Sequence, residues 1–457
     1  MENTQAQNKM GYLPVPGLIL EMSLPIMVSM LVLATYNIVD SIFVSRISEN
    51  ALTAVSLVFP FQMLITAVAV GTAAGANSLI ARRLGAQDQQ GADKAATNAL
   101  FLSVASGVFF LLFFGLLTPV LIGVFKPEAQ IAEYANTYLY LVGTPAVFAC
   151  IQVMEEKILQ ATGNTVHSML IQLTGAVFNL IFDPILIFGL YGFPALGVAG
   201  AAIATVGGQI IGMILGAFLI FSKKCLVKIS IKGFRPCMET IKNIYVVGIP
   251  SIFLQMVGSV MNVGLNKILI SFTPTAVSVM GVYFKLQSFI FMPVFGLNSG
   301  TMPVMGYNFG ARNKKRVMDA LKYGSLYAFC IMTVGLIVFQ FCSPFMLKLF
   351  DASPTMLEIG VPALKTISLC FPMAALGIML SSLFQAIGNG KLSLLMSALR
   401  QLIILLPAAF ILSRLFGLSA VWYAFPIAEV FSLIFASVMV VRVYNAQIRY
   451  LEGSRED

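Results

Sequence analysis

QATGN, residues 160–164, returns as QAIGN at 385–389, and that spacing of 225 residues decides how the chain is organised. The same offset lays LGAQD (84–88) over FGARN (309–313). Pro25 then meets Pro250, Asn37 meets Asn262, Phe59 meets Phe284 and Gln62 meets Gln287. Gly71 and Gly75 fall on Gly296 and Gly300, while Pro119, Phe125 and Glu133 fall on Pro344, Phe350 and Glu358. Further on the offset drops to 220, putting Gly197 over Gly417 and Gln209 over Glu429. Apolar composition alone would match Leu with Leu and Ala with Ala. Matches of Pro, Gly, Asn and Gln mark a duplication.

The duplicated unit is too apolar for a soluble fold. Of 457 residues, 58% are hydrophobic and 10% charged, where a soluble domain carries about 25% charged residues. Apolar runs long enough to cross a hydrocarbon core of ~30 Å recur from end to end. They predict helices over 17–46, 51–82, 95–125, 130–160, 167–190 and 197–222, then over 240–272, 276–310, 317–350, 355–388, 391–415 and 418–443. The expected fold is an all-α membrane protein of twelve transmembrane helices in two six-helix bundles. Residues 1–222 form the N-terminal lobe, the basic stretch 223–239 a cytoplasmic linker, and 240–457 the C-terminal lobe.

Charge sets the orientation. With the N-terminus in the cytoplasm, the loops after even-numbered helices hold Arg82, Arg83 and Lys94, then Lys223, Lys224, Lys228, Lys232 and Arg235, then Arg312, Lys314, Lys315 and Arg316. Most of the 28 Lys and Arg lie on that side, so both termini are expected in the cytoplasm. The net charge of +9 is thereby topology, and no nucleic-acid partner is implied. Residues Met1 to Pro16 lack the basic start, apolar core and cleavage site of a secretory signal. Six cysteines without a CxxC pair give no metal or disulfide framework. No Ser-His-Asp or metal-ligand constellation suggests an enzyme, and the single His167 reads as a surface residue.

Six helices per half give both halves the same orientation, related by an axis along the membrane normal. Such folds bind substrate between the halves and rock them against each other. Within this apolar background an ionisable side chain is a functional hypothesis. Asp40 lies roughly 9 Å, and Asp183 roughly 10 Å, from the outer end of its helix at 1.5 Å per residue. Two carboxylates at one depth can share a proton or a sodium ion. Asn179, one turn before Asp183, adds a neutral oxygen on the same face, and Thr205 reaches a similar level. An oxygen-only cluster suits a hard cation. The bland alternative is that these acids only hydrogen-bond helices together. Pro184 follows Asp183, and its missing donor loosens the helix there.

YNIVDSIFV (36–44), RRLGAQD (82–88), LQATGN (159–164), FNLIFDPILIFG (178–189) and GVAGAAIAT (197–205) together resemble the multidrug and toxic compound extrusion family. The resemblance extends over nearly the whole chain. It implies two six-helix bundles around a central V-shaped cleft and a secondary active antiporter in a bacterial cell membrane. Organic cations and drugs would leave in exchange for protons or sodium ions. It implies that Asp40, Asn179, Asp183 and Thr205 form the cation-coupling site, with Asp40, Asn179 and Asp183 as sodium ligands if sodium is the ion. No cofactor beyond the coupling ion is implied; the partners are cationic amphiphiles and the lipid bilayer, and the protein is expected to be a monomer.

The C-terminal half departs from that pattern. Leu265 stands opposite Asp40, and Ala408 opposite Asp183, so coupling is expected in the N-terminal half alone. Tyr36, Asn37, Met63, Gln255, Lys285 and Met292 are candidates to line the substrate cavity, because thioethers, aromatic faces and amides suit a site that accepts many cations. Lys285 reads equally as a counter-charge in the cavity or as a snorkelling side chain. Glu155 and Glu156 either attract cations from inside or pair locally with Lys157, and Glu429 reads as a partner for a neighbouring helix. A rival reading is a flippase of lipid-linked or other amphipathic metabolites, for which several basic residues in the cleft are expected where only Lys285 qualifies. A receptor or channel would leave the acid pair without a purpose.

Overall fold

The computed structural model describes residues 8–222, 225–230, 233–350 and 352–451. Among them only helices and connecting segments occur. In chain order the helices are α1 (Lys9–Tyr12), α2 (Val15–Ser45), α3 (Glu49–Gly85), α4 (Gln89–Gly123), α5 (Ala129–Gly143), α6 (Ala146–Ala161), α7 (Thr165–Phe188), α8 (Val198–Ile220) and α9 (Met238–Ile270). There follow α10 (Pro274–Gly310), α11 (Lys314–Lys348), α12 (Pro354–Ser368), α13 (Phe371–Ala386), α14 (Gly390–Ala398), α15 (Leu406–Phe416), α16 (Leu418–Val421) and α17 (Ala424–Val443). Among the described residues ten helical segments are long and apolar enough to cross a bilayer, and two bent pairs bring the total to 12 if each pair is one span. The bends, 46° between α5 and α6 and 48° between α12 and α13, fall at Pro145 and Cys370, which are 225 residues apart. Pro145 has no amide hydrogen to continue the ladder, and Pro372, in the first turn of α13, likewise lacks one.

The stretch 391–415 is not one regular helix. Leu399–Leu405 winds as π-helix between α14 and α15. Pro407, in the first turn of α15, cannot donate to the carbonyl behind it, and a widened turn absorbs the mismatch.

The duplication is visible in small details. Asp88 caps α4 by accepting the Gly91 amide at 2.8 Å, and Asn313 caps α11 by accepting the Arg316 amide at 3.1 Å. The residues before those caps, Gln87 and Arg312, both take positive φ, 58° and 57°. Gln160 donates to Ser168 at 2.8 Å, and Gln385 to Ser393 at 3.0 Å.

The compact units differ from the sequence halves. One unit is Val28–Ile252; the other joins Met1–Met27 to Phe253–Asp457. Thus 223–239 separates the repeats in sequence but does not bound the packing, because the first halves of α2 and α9 are exchanged. Glycines make this possible. A Cβ on Gly71 would meet the Ile252 amide nitrogen at 2.6 Å, and one on Gly75 the Ile244 carbonyl at 2.2 Å. In the other unit a Cβ on Gly296 would meet the Met27 Cα at 2.7 Å, and one on Gly300 the Ser23 Cα at 2.7 Å. Small residues let helix backbones approach where lipid supplies no hydrophobic drive. Outward, large side chains such as Leu116, Phe218 and Phe341 are exposed, as on a lipid-facing surface.

Candidate functional site: a carboxylate pair in the Val28–Ile252 unit

Five helices of the Val28–Ile252 unit converge on one polar cluster. α2 brings Tyr36 and Asp40, α3 brings Gln62, α5 brings Tyr138, α7 brings Asn179 and Asp183, and α8 brings Thr205. Asp40 and Asp183 are direct neighbours. Asp183 is 1% exposed and Asn179 7%. The Asn179 amide donates to the Tyr36 hydroxyl at 3.1 Å, and Gln62 donates to Tyr138 at 3.3 Å. Thr205 stands beside both tyrosine hydroxyls, and both tyrosines feel the carboxylates.

The donors of the cluster do not reach most of its acceptor oxygens. Oδ1 of Asp40, both oxygens of Asp183 and Oδ1 of Asn179 are buried without a hydrogen-bond partner. A buried acceptor without a donor costs about 1–3 kcal/mol, more when charged. The two acids can bond to each other only if a proton is supplied. The donor set therefore fits a proton, or a hard cation drawing on oxygens alone. No third His, Cys, Asp or Glu joins them among the described residues, so the neutral oxygens of Asn179, Thr205 and the tyrosines would complete any ion shell.

Asp40, Asn179, Asp183 and Thr205, singled out from sequence, are thus brought together, and Tyr36 joins them. Tyr138 and Gln62 were missed. Met63 and Gln255 are exposed and Met292 half-buried. Lys285 is exposed and its ammonium sits 6.0 Å from the Phe350 ring centroid, just past the end of α11. The side chain of Asn37 lies outside the described residues. In the other unit Glu429 accepts from Arg400 at 3.4 Å, the neighbouring-helix partnership its sequence context suggested. His167 is half-buried, its ring 2.5 Å from the Asn164 amide.

Duplicated helical halves, up to twelve spans among the described residues and an intramembrane acid pair define a polytopic membrane transporter. The chain belongs to the MatE family, whose model matches residues 25–185 and again 250–411. Among curated relatives, the multidrug export protein MepA of Staphylococcus haemolyticus is 26% identical over 427 residues, covering 93% of this chain and 92% of the relative. MepA of Staphylococcus aureus is likewise 26% identical. Among solved structures, a multidrug resistance MATE family transporter of the MOP superfamily in an outward-facing conformation matches with a TM-score of 0.92 at 28% identity, covering 98% of this chain and 100% of that one. A MOP superfamily transporter from Pyrococcus furiosus, described as having a binding pocket of reverse polarity, matches with a TM-score of 0.91 at 28% identity, over 98% of this chain and 99% of its own.

Proposed function

We propose that the protein exports amphipathic organic cations, drugs among them, by alternating access, in exchange for protons or sodium ions taken up by the Asp40–Asp183 pair. The observation that carries this reading is the set of buried acceptor oxygens on Asp40, Asp183 and Asn179 that no donor reaches. Left ionised and empty, the pair is costly, and each carboxylate repels the other. Binding one proton or cation neutralises part of that charge and draws α2 towards α7. Release restores the repulsion. That difference between two states is what a coupling ion must supply, since a ligand shifts a conformational equilibrium only by its differential affinity. Asn179 and Tyr36, each one turn before its acid on α7 and α2, are bonded to each other and tie the two helices together beside the pair. The resemblance to multidrug exporters supports the substrate class, and the basic loops support an orientation with both termini in the cytoplasm. We read the working unit as a monomer.

The test is dye export from proteoliposomes under an imposed proton gradient and, separately, a sodium gradient. One gradient should drive export in wild type, and both Asp40→Asn and Asp183→Asn should lose that drive while still binding dye. Undiminished export by Asp40→Asn under the same gradient refutes the assignment.

A further inference from the structure

A second acid pair lies in the Val28–Ile252 unit, away from Asp40 and Asp183. Glu155 and Glu156 sit near the end of α6 and are 3% and 8% exposed. Their surroundings differ. Glu156 accepts from the Gln152 amide at 3.3 Å and has Lys157 as its neighbouring cation. The Lys157 ammonium itself donates to Gln160 at 2.8 Å. Glu155 has Glu156 as its charged neighbour, and its Oε2 is buried with no hydrogen-bond partner. One lysine faces Glu156, so Glu155 is the surplus negative charge, and no donor reaches its buried Oε2.

The position of Glu155 is prepared by α8. Gly208, Gly212 and Gly216 follow at four-residue intervals, about 6 Å apart along one face. Each glycine makes room for a polar tip from a neighbouring helix. A Cβ on Gly208 would lie 3.0 Å from Asn179 Oδ1, one on Gly212 2.8 Å from Gln152 Nε2, and one on Gly216 2.0 Å from Glu155 Oε2. Asn179 belongs to the Asp183 cluster. Glu155 therefore stands two helical turns along the same seam, towards the end of the unit where α6 meets α7 at residues 162–164. On that side α3 contributes Asn77, which donates to the Lys157 carbonyl at 2.9 Å, and α7 contributes Ser168, which receives Gln160. Neither adds a charge.

We infer that Glu155 is a second proton-exchange site, at the far end of the glycine face of α8 from Asp183, where it holds a proton between the interior of the unit and the face bearing the basic loop at 82–88. Lys157 beside Glu156 places a positive charge there that opposes a metal cation. A proton satisfies Glu155 alone. That Glu155 serves the Asp40–Asp183 pair rests on the coupling proposed above; that it holds a proton does not.

The experiment is infrared difference spectroscopy on purified protein while buffer pH is stepped, reading the carbonyl stretch of protonated carboxyls. In an Asp40→Asn/Asp183→Asn background a titrating carboxyl band should persist, and adding Glu155→Gln should remove it, whereas adding Glu156→Gln should leave it. If the band is absent from that background, or survives Glu155→Gln, the inference fails. Size-exclusion behaviour checks folding, and Glu155→Ala, with the same expected loss of the band, replaces the amide should it not fold. In proteoliposomes Glu155→Gln alone should slow proton-driven dye export while leaving dye binding intact. Sodium-driven export by wild type would overturn the transport link and leave the infrared result standing.

Discussion

The close approach of Gly71 to Ile252 in the Val28–Ile252 unit offers a direct test of the exchanged half-helices. In Gly71→Ala the new Cβ would lie 2.4 Å from Ile252 Cγ1, 2.6 Å from its nitrogen and 2.8 Å from its Cα. Carbon atoms rest about 3.5–4.0 Å apart, so α3 and the first half of α9 must move apart by about 1 Å. Backbone atoms cannot turn aside as a side chain would. Overpacking of this kind costs about 1–3 kcal/mol. Alanine also brings a helix-propensity gain of about 1 kcal/mol over glycine, which must be removed from the comparison. Gly281→Ala does so: Gly281 is inside α10 and a Cβ there would meet nothing within 4 Å. The prediction is therefore a difference, with Gly281→Ala more stable than Gly71→Ala by about 1–3 kcal/mol. Gly296→Ala, against Met27 in the other unit, should behave like Gly71→Ala. The assay is thermal unfolding of detergent-purified variants, followed by the fraction recovered on size exclusion after heating. If Gly71→Ala melts with Gly281→Ala or above it, α9 does not pack on α3 as described.

Arg400→Met should destabilise by about 3 kcal/mol or more, because it strands a buried Glu429, whereas the double change Arg400→Met/Glu429→Met should be near neutral; thermal unfolding of the three proteins checks both. At the α4 cap, the Gly91 amide, and then Arg83, hold the Asp88 carboxyl below its usual range. A depressed carboxyl stabilises the fold above its unfolded pKa, and that contribution disappears as pH falls through the folded value. Asp88→Asn should keep the cap but lose this share of the acid sensitivity, read by stability between neutral pH and pH about 3. Asp88→Ala should lose the cap as well, costing about 1 kcal/mol at neutral pH. Tyr36→Phe removes the acceptor for Asn179 and should weaken gradient-driven export without abolishing it, as measured by dye flux.

Much of this was open to sequence reasoning, for identifiable reasons. The duplication shows because Pro, Gly, Asn and Gln are rare enough in apolar helices for their recurrence to carry information. Asp40 and Asp183 stand out because a charge inside such a stretch has a cost that must be explained. Tyr138 and Gln62 did not stand out. A tyrosine or a glutamine in a long apolar helix is unexceptional, and only the folded positions of α3 and α5 bring those two groups to the cluster. Glu155 was visible but ambiguous: an acid beside a lysine near a helix end normally pairs locally, and its burial depends on glycines in α8, 50 and more residues away. The exchange of half-helices leaves no trace in periodicity, because α2 and α9 are apolar all round. The π-helical turn at Leu399–Leu405 is equally silent, since Pro407 alone signals only some local adjustment.

The crossing-over of α2 and α9 carries a consequence for biosynthesis. When the ribosome has completed the first six spans, the pocket for Ile244 to Ile252 on α3 is still vacant, and the stretch of α2 from Val15 to Met27 still waits for the unit it packs in, which begins at Phe253. Neither bundle can mature ahead of the other, so a gene divided between codons 222 and 238 should give two polypeptides that each need the other present to escape degradation.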